Sequence, residues 1–331
     1  MKNILQYLFE HKTLNRKQAK EVLVNISNGQ YNESEIASFI TVFLMRSITI
    51  EEIQGFRDAL LDLCIRVDLS SFEVMDIVGT GGDGKNTFNI STLSCFIVAG
   101  AGQKIAKHGN YGASSVSGAS NVMEQLGYRL SRDSDKLRRE VDEANFCFLH
   151  APLFHPALKA VGGIRKNLGI RTFFNMLGPM VNPAFPQFQL VGVYSLEMAR
   201  IYNYLLQQEG KPFTIIHGLD GYDEISLTND TKVITREGER ILKPENIGKR
   251  MVSPLDIYGG NSVEEAAKIF LRILQGSGTW AQNAVVLANA AMALECTGKY
   301  NSYDDAYQAA VESLESGKAH NMFKKLMELQ N

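Results

Sequence analysis

Residues 76–92, DIVGTGGDGKNTFNIST, set four glycines (Gly79, Gly81, Gly82 and Gly84) within six positions, after an apolar run and before a helix-like segment. Stripping side chains from a turn serves one of two ends. Glycine alone makes certain tight bends, and bare backbone N–H groups beside a helix N-terminus cradle phosphate. Two nucleotide fingerprints do not fit. Asn86 follows Lys85 where a P-loop needs Ser or Thr, and no acid stands where a Rossmann turn holds its ribose. On the glycines alone, both ends stay open.

A second stretch, KHGNYGASSVSGAS (107–120), again follows a short apolar run and precedes helix-like sequence. It gathers Lys107, His108, Asn110, Ser114, Ser115 and Ser117. One point charge among short hydroxyls suits a diphosphate or a sugar phosphate. Two such loops at strand C-termini favour phosphate binding over solvated turns, because open α/β sheets bind ligands there. GLDGYDEISL (218–227) adds the adjacent acids Asp223 and Glu224. Beside phosphate loops such a pair suits Mg2+, which takes oxygen ligands; alone it would read as ordinary surface. GGIRKNLGIRTFFNMLGPMVNP (162–183) adds Arg165 and Arg171. A guanidinium there either clamps a substrate carboxylate through parallel N–H bonds or makes an ordinary surface ion pair.

The elements that must position these groups fall into two textures. Residues 1–68 read as helices only, with apolar positions at three- and four-residue spacing in Ile36, Phe39, Ile40, Phe43 and Leu44. Asn15 with Gln18, Asn32 with Glu35 and Thr49 with Glu52 have the spacing of capping boxes. From residue 73 short apolar runs appear at 74–79, 104–108, 146–150, 188–194 and 213–218, most of them separated by helix-like segments. That alternation predicts a mostly parallel sheet covered by helices. Residues 225–243 alternate as an antiparallel excursion would, and 262–329 return to helices opened by Ser262 and Ser302. The expected fold class is α/β: a small all-helical domain over 1–68, and a larger α/β domain over 73–331 with a mostly parallel central sheet. A single join near 67–73 is expected, with segments near 170–188 packing on the helices.

Composition narrows the partners. With 34 basic and 36 acidic residues the net charge is −2, so no global field favours nucleic acid or anionic lipid. Cys64, Cys95, Cys147 and Cys296 match no metal spacing and read as small apolar residues in a reducing compartment. No apolar run reaches membrane-spanning length, and the start has no cleavable leader pattern. A soluble, cytoplasmic protein is expected. Leu5, Phe9, Val22, Val24 and Ile26 put apolar residues on more than one face of the first helices, which predicts a homodimer through that domain.

Together these four motifs, in this order between a helical start and a helical tail, resemble the anthranilate phosphoribosyltransferases over nearly the whole chain. Enzymes of that family join anthranilate to 5-phosphoribosyl 1-diphosphate (PRPP), releasing diphosphate, in the second step of tryptophan biosynthesis. The fold expected of that family is the nucleoside phosphorylase/phosphoribosyltransferase type. The resemblance implies that Gly79, Gly82, Asp83, Thr87, Asn89, Ile90, Ser91, Thr92, Lys107, Asn110, Ser114 and Ser115 line the PRPP site. It implies that Ser91, Asp223 and Glu224 engage Mg2+. It places anthranilate against Gly79, Asn110 and Arg165, with His108, Pro152, His155 and Pro179 around the ring and its approach. No residue is implied as acid or base, in keeping with an aniline nitrogen that is already unprotonated at neutral pH.

Three positions depart from the usual family pattern. Tyr111 replaces an arginine, Val116 a lysine and Ala119 a serine. Two rival readings are weaker. A pyrimidine nucleoside phosphorylase would carry a Lys-His-Ser strand end where DIVGTGGDG stands. A nucleic-acid-binding relative would need a basic groove, against a net charge of −2 and the Asp223–Glu224 pair.

Overall fold

The computed structural model describes residues 1–112, 115–247 and 250–330. The chain divides into two compact units: Met1–Val67 with Ala151–Pro183, and Asp68–His150 with Ala184–Asn331. It therefore passes between units at three places, after Val67, His150 and Pro183. The single join expected near 67–73 is thereby corrected.

In the helical unit all three capping boxes form, opening the helices Arg16–Ser27, Glu33–Met45 and Ile50–Leu63. Each satisfies N–H groups that a helix start leaves without partners. The first and last of these cross closely at Gly55, where a Cβ would meet the Arg16 carbonyl and, at 2.7 Å, the Ala19 methyl. The helix Pro156–Leu168 packs on all three. After it, Phe173 stacks on Phe56 at 4.6 Å and meets Phe39 and Phe43 edge-on. This aromatic knot, the packing of that helix and the Ile65 N–H and Val67 N–H bonds to the Phe154 and Pro183 carbonyls join 151–183 to the first 67 residues. Val22 and Ile26 lie in the same core, so their apolarity is spent inside the chain; Phe9 remains 62% exposed.

In the α/β unit all five apolar runs become strands: β1 Met75–Gly79, β2 Ile105–Gly109, β3 Phe146–His150, β4 Phe188–Gly192 and β5 Phe213–Gly218. The excursion gives β6 Thr231–Thr235 and β7 Glu239–Leu242. The order is β3-β2-β1-β4-β5-β6-β7, parallel through β5 and antiparallel beyond. The helix Ile90–Gly100 is buried along almost its whole length, between the sheet and the helices Trp280–Cys296, Tyr303–Glu315 and Lys318–Glu328. That explains its continuous apolar run. β1 has β2 on one side and β4 on the other, so the strand order reverses there. Ligands of open α/β sheets bind at the carboxyl ends of strands at such a reversal.

Candidate functional site

The carboxyl ends of β1 and β4 meet as a glycine pair, Gly79 opposite Gly192. Asp223 needs both glycines. A Cβ on Gly79 would strike its carboxylate, and one on Gly192 would strike its backbone carbonyl. Beyond Gly79 the chain turns through Gly81, Gly82 and Gly84 at φ of 63°, 75° and 76°, the left-handed region that favours glycine. Of the two ends left open by sequence the structure serves the tight bend, made by three of the glycines, while the fourth admits an acid.

Asp223 and Glu224 are both buried. Asp223 Oδ2 accepts the Gly81 N–H at 2.7 Å. Glu224 Oε1 accepts the Ser91 N–H at 3.1 Å, and its Oε2 accepts the Thr87 hydroxyl at 3.3 Å. Two backbone donors of the glycine loop and the helix start are therefore held by carboxylates, so this end of the sheet does bind anions, its own. Burial, and then the nearby Asp83, push the Asp223 carboxyl well above its ordinary range. Burial, then Asp223 and Asp83, do the same to Glu224. Lys107 is buried with its Nζ donating to the Ile77 carbonyl at 2.6 Å and the Ser91 hydroxyl at 3.4 Å; it offsets Asp223 only in part. Buried carboxylates that favour their protons mark a deficit of positive charge. Hard oxygen donors (Asp223, Glu224 and the Ser91 hydroxyl) fit Mg2+. Among the described residues no three or more His, Cys, Asp and Glu side chains gather as a metal cage, so further ligands would be water and phosphate oxygens, as Mg2+ prefers.

The second loop is tied to the first. Asn89, at the N-cap of the helix Ile90–Gly100, makes no capping bond. Its Nδ2 donates to the Ser117 carbonyl at 2.9 Å, and its Oδ1 accepts the Ser117 hydroxyl at 3.4 Å. Asn86 Nδ2 donates to the Gly260 carbonyl at 2.8 Å, and its Oδ1 accepts the Val116 N–H at 3.5 Å. Asn110 is exposed, and Ser115 Oγ donates to the Ser117 carbonyl at 3.4 Å. Ser114 lies outside the described residues. Ile90 and Thr92 are buried in the core, so what they offer a ligand is backbone. His108 is also buried, its N–H donating to Asp76 Oδ1 at 3.1 Å.

The remaining residues belong to the helical unit. Arg165 is half-buried, donates to Asn175 Oδ1 at 3.2 Å and lies 5.5 Å from the Phe174 ring centre. Burial alone lowers its pKa, with no carboxylate pulling the other way. The surface ion pair considered from sequence is therefore not what holds it. Pro152 is half-buried and Pro179 buried. His155 is 1% exposed, and burial lowers its pKa to about 4 despite hydrogen bonding with the Val181 and Leu60 backbone. It stands at the N-cap of the helix Pro156–Leu168 without a side-chain capping bond.

Comparison with known proteins decides the family. Residues 71–320 match the α/β domain of a glycosyl transferase family, and residues 2–64 its helical bundle domain. The anthranilate phosphoribosyltransferase of Christiangramia forsetii is 59% identical over 99% of both chains. The chain belongs to the anthranilate phosphoribosyltransferases. The Bacteroides thetaiotaomicron enzyme of that name is 55% identical over the full length of both. The crystal structure of anthranilate phosphoribosyltransferase from Thermus thermophilus superposes with a TM-score of 0.91 at 30% identity, covering 98% of each chain. The Saccharomyces cerevisiae anthranilate phosphoribosyltransferase, solved in complex with PRPP and Mg, gives 0.90 at 28% identity, covering 98% of this chain and 96% of that one.

Sequence reasoning misses several residues here. Gly192 sits in an apolar run where nothing but a strand-terminal glycine signals its contact with Asp223. Asn86 stands out in the sequence only as a misfit to a P-loop, yet it bridges two other segments. The Thr80 hydroxyl is buried without a hydrogen-bond partner among the described residues, a hint that no spacing rule offers. Among the described residues, no helix is long and apolar enough to cross a membrane.

Proposed function

We infer that the chain transfers the 5-phosphoribosyl group of PRPP to the amine of anthranilate, releasing diphosphate. The observation that carries this reading is the buried pair Asp223 and Glu224, seated on the Gly81 and Ser91 N–H groups where the strand order reverses. Breaking the ribose C1–O bond builds positive charge on the sugar and negative charge on the departing diphosphate. Donors fixed in advance where that negative charge grows lower the barrier without reorganisation. Gly82, Asp83, Thr87, Asn89, the start of the helix Ile90–Gly100, Lys107, Asn110, Ser114 and Ser115 supply the PRPP cradle. Asp223, Glu224 and Ser91 hold Mg2+, which when bound neutralises phosphate charge. Arg165, with no carboxylate paired to it among the described residues, holds the anthranilate carboxylate. Gly79 and Asn110 approach the same substrate, with His108, Pro152, His155 and Pro179 around it. The aniline nitrogen attacks C1 as its bond to oxygen breaks with the electron pair leaving on the diphosphate, and the acidic arylammonium so formed gives its proton to water or the diphosphate; orientation and charge carry the catalysis rather than a strong base.

Free cysteines throughout support a cytoplasmic setting, and exposed Phe9 supports a homodimer through the helical unit. Sedimentation at micromolar concentration tests the latter; a single monomer species refutes it. The activity is tested by following the loss of anthranilate fluorescence with PRPP and Mg2+. Stable fluorescence at saturating PRPP and Mg2+ would overturn the reading.

A further inference from the structure

Residues 222–228 are buried although they form neither helix nor strand. Buried backbone of that kind must find its hydrogen-bond partners outside a ladder. For Ile225, directly after Glu224, both partners come from one side chain. Asn289 Oδ1 accepts the Ile225 N–H at 3.0 Å, and Asn289 Nδ2 donates to the Ile225 carbonyl at 2.9 Å. The same Nδ2 donates to the Val285 carbonyl, one turn back in its own helix, at 2.9 Å. Asn289 is 2% exposed, and from Val285 to Leu294 it is the only polar residue of the helix Trp280–Cys296. Burying a lone amide among apolar side chains is costly unless its polar atoms are engaged, and here its oxygen and its nitrogen both are.

We propose that Asn289 is a positioning residue for the metal-binding acids, holding the backbone just after Glu224 so that Asp223 and Glu224 meet one end of the sheet. The inference rests on assigning those two acids to Mg2+. Neighbouring side chains of an extended chain point to opposite sides. Bringing both carboxylates to the glycine loop and the helix start, at the Gly81 and Ser91 N–H groups, therefore depends on the backbone path around them. The chain bends at both acids, and the bend is held from two sides. The Asp223 carbonyl rests so close to Gly192 that a Cβ there would strike it. Beyond the pair, Asn289 takes both backbone groups of Ile225. A carboxamide is suited to this because it offers an acceptor and two donors on one short stem. Gly192 only leaves room, whereas Asn289 supplies directed contacts. Its loss frees the peptide next to Glu224 without touching either carboxylate.

Asn289→Ala tests this beside Leu294→Ala, which opens a cavity more than a turn further along the same helix, at a side chain 1% exposed. Amide hydrogen exchange reads the clasp directly, and exchange at Ile225 should quicken about tenfold in Asn289→Ala. The Mg2+ concentration for half-maximal rate should rise about fivefold or more, while the KM for anthranilate changes less than about twofold. With no substrate present, the Mg2+ concentration that gives half of the rise in Tm should move by about the same factor. Leu294→Ala should lower the metal-free Tm at least as much and leave both Mg2+ midpoints within about twofold of wild type. Asn289→Ser, whose hydroxyl can bond the Val285 carbonyl but is too short to span both Ile225 groups, gives the same readings if the alanine variant does not fold. Unchanged exchange at Ile225 overturns the clasp itself. Faster exchange with wild-type Mg2+ midpoints overturns the positioning role. An equal shift of the midpoints in Leu294→Ala overturns it in favour of a general loosening of the helix. The metal assignment is read separately, in Asp223→Asn/Glu224→Gln. A Mg2+-induced rise in Tm that is absent from the wild-type protein, or that survives in this double variant, overturns that assignment and the role of Asn289 with it, whatever exchange at Ile225 shows.

Discussion

Two buried glutamates, one in each unit, are held in opposite ways. Glu52 in the helical unit has no exposed surface. It receives Arg46 through both nitrogens, at 2.6 and 3.0 Å, and the N–H groups of Leu14 and Thr49, each at 2.9 Å. Burial pushes its pKa up, but Arg46 and the two N–H groups outweigh that and hold it below the ordinary range. Glu224 at the sheet's end accepts one N–H and one hydroxyl, and burial with Asp223 and Asp83 beside it drives its pKa well up. One carboxylate is a finished structural joint. The other is a carboxyl group buried without a counter-charge, the kind of perturbed group that gathers where ligands bind.

The largest expected effect breaks the second of these. Asp223→Asn combined with Glu224→Gln should lose about 10³-fold in Mg2+-dependent turnover, the scale of losing fixed charge stabilisation at a reacting centre. The fold should survive and the metal-free Tm should hold or rise, because two uncompensated carboxylates are gone. A wild-type rate and Mg2+ response in the double variant would remove the pair from the metal site.

Glu52→Gln sharpens the contrast from the other side. A glutamine offers one acceptor oxygen where Arg46, Leu14 and Thr49 need two, and it leaves the guanidinium without its counter-ion. Stability should fall by about 3 kcal/mol, the lower end for breaking a buried pair because Arg46 is partly exposed. Urea unfolding measures it, with kcat/KM of the folded protein at low temperature unchanged. A loss below about 0.5 kcal/mol would make Glu52 no more structural than a surface ion pair.

What could be read in advance follows the range of the interactions. Thr49 with Glu52 is legible as a capping box because three residues separate the partners, but Arg46 joining that same glutamate is not. The five parallel strands and the antiparallel β6–β7 excursion are legible because period and burial are local properties. Phe173 stacking on Phe56 is a contact across more than a hundred residues, and with the packing of the helix Pro156–Leu168 it draws 151–183 into the helical unit. At the site, the residue types of Lys107, Asp223 and Glu224 declare the chemistry. Their present partners, Ile77, Gly81 and Ser91, are backbone groups that carry no sequence signal. Val22 and Ile26 show the same limit in reverse: an amphipathic pattern does not say whether the covering surface comes from this chain or another.

A smaller effect is expected at Arg165, which resembles Glu224 in lacking an opposite charge among the described residues. Arg165→Ala should raise the KM for anthranilate about tenfold or more, the worth of a charged hydrogen bond in a partly desolvated site. The KM for PRPP should move far less, as steady-state kinetics with each substrate varied will read. Equal changes in both would point to a disturbed helix Pro156–Leu168 rather than a lost carboxylate contact.

The smallest effect is one of pH, and its sign separates the two glutamates again. A carboxyl whose pKa is higher folded than unfolded binds its proton more tightly in the folded protein. Its stabilisation is complete below the ordinary carboxylate range and is lost as pH rises through the folded value. For Asp223 that window runs from its ordinary 3.8 to about 7. Without metal, this pair should therefore cost stability progressively over that window, whereas Glu52, held low, costs stability only in acid. His150 and His155, both lowered to about 4 by burial, act the other way: unfolded imidazoles bind protons first, so stability from these groups is lost as pH falls below about 6.5. The raw pH profile of Tm mixes the two trends. Subtracting the profile of Asp223→Asn/Glu224→Gln, which keeps both histidines, isolates the acid pair. The difference should grow with pH from about 4 to about 7, and the rise in Tm on adding Mg2+ should be larger at about pH 7.5 than at about pH 5, since the ion competes with those protons. A Mg2+ effect independent of pH, or still present in the double variant, would mean that the ion binds elsewhere and that the charge deficit at the sheet's end is met by something else.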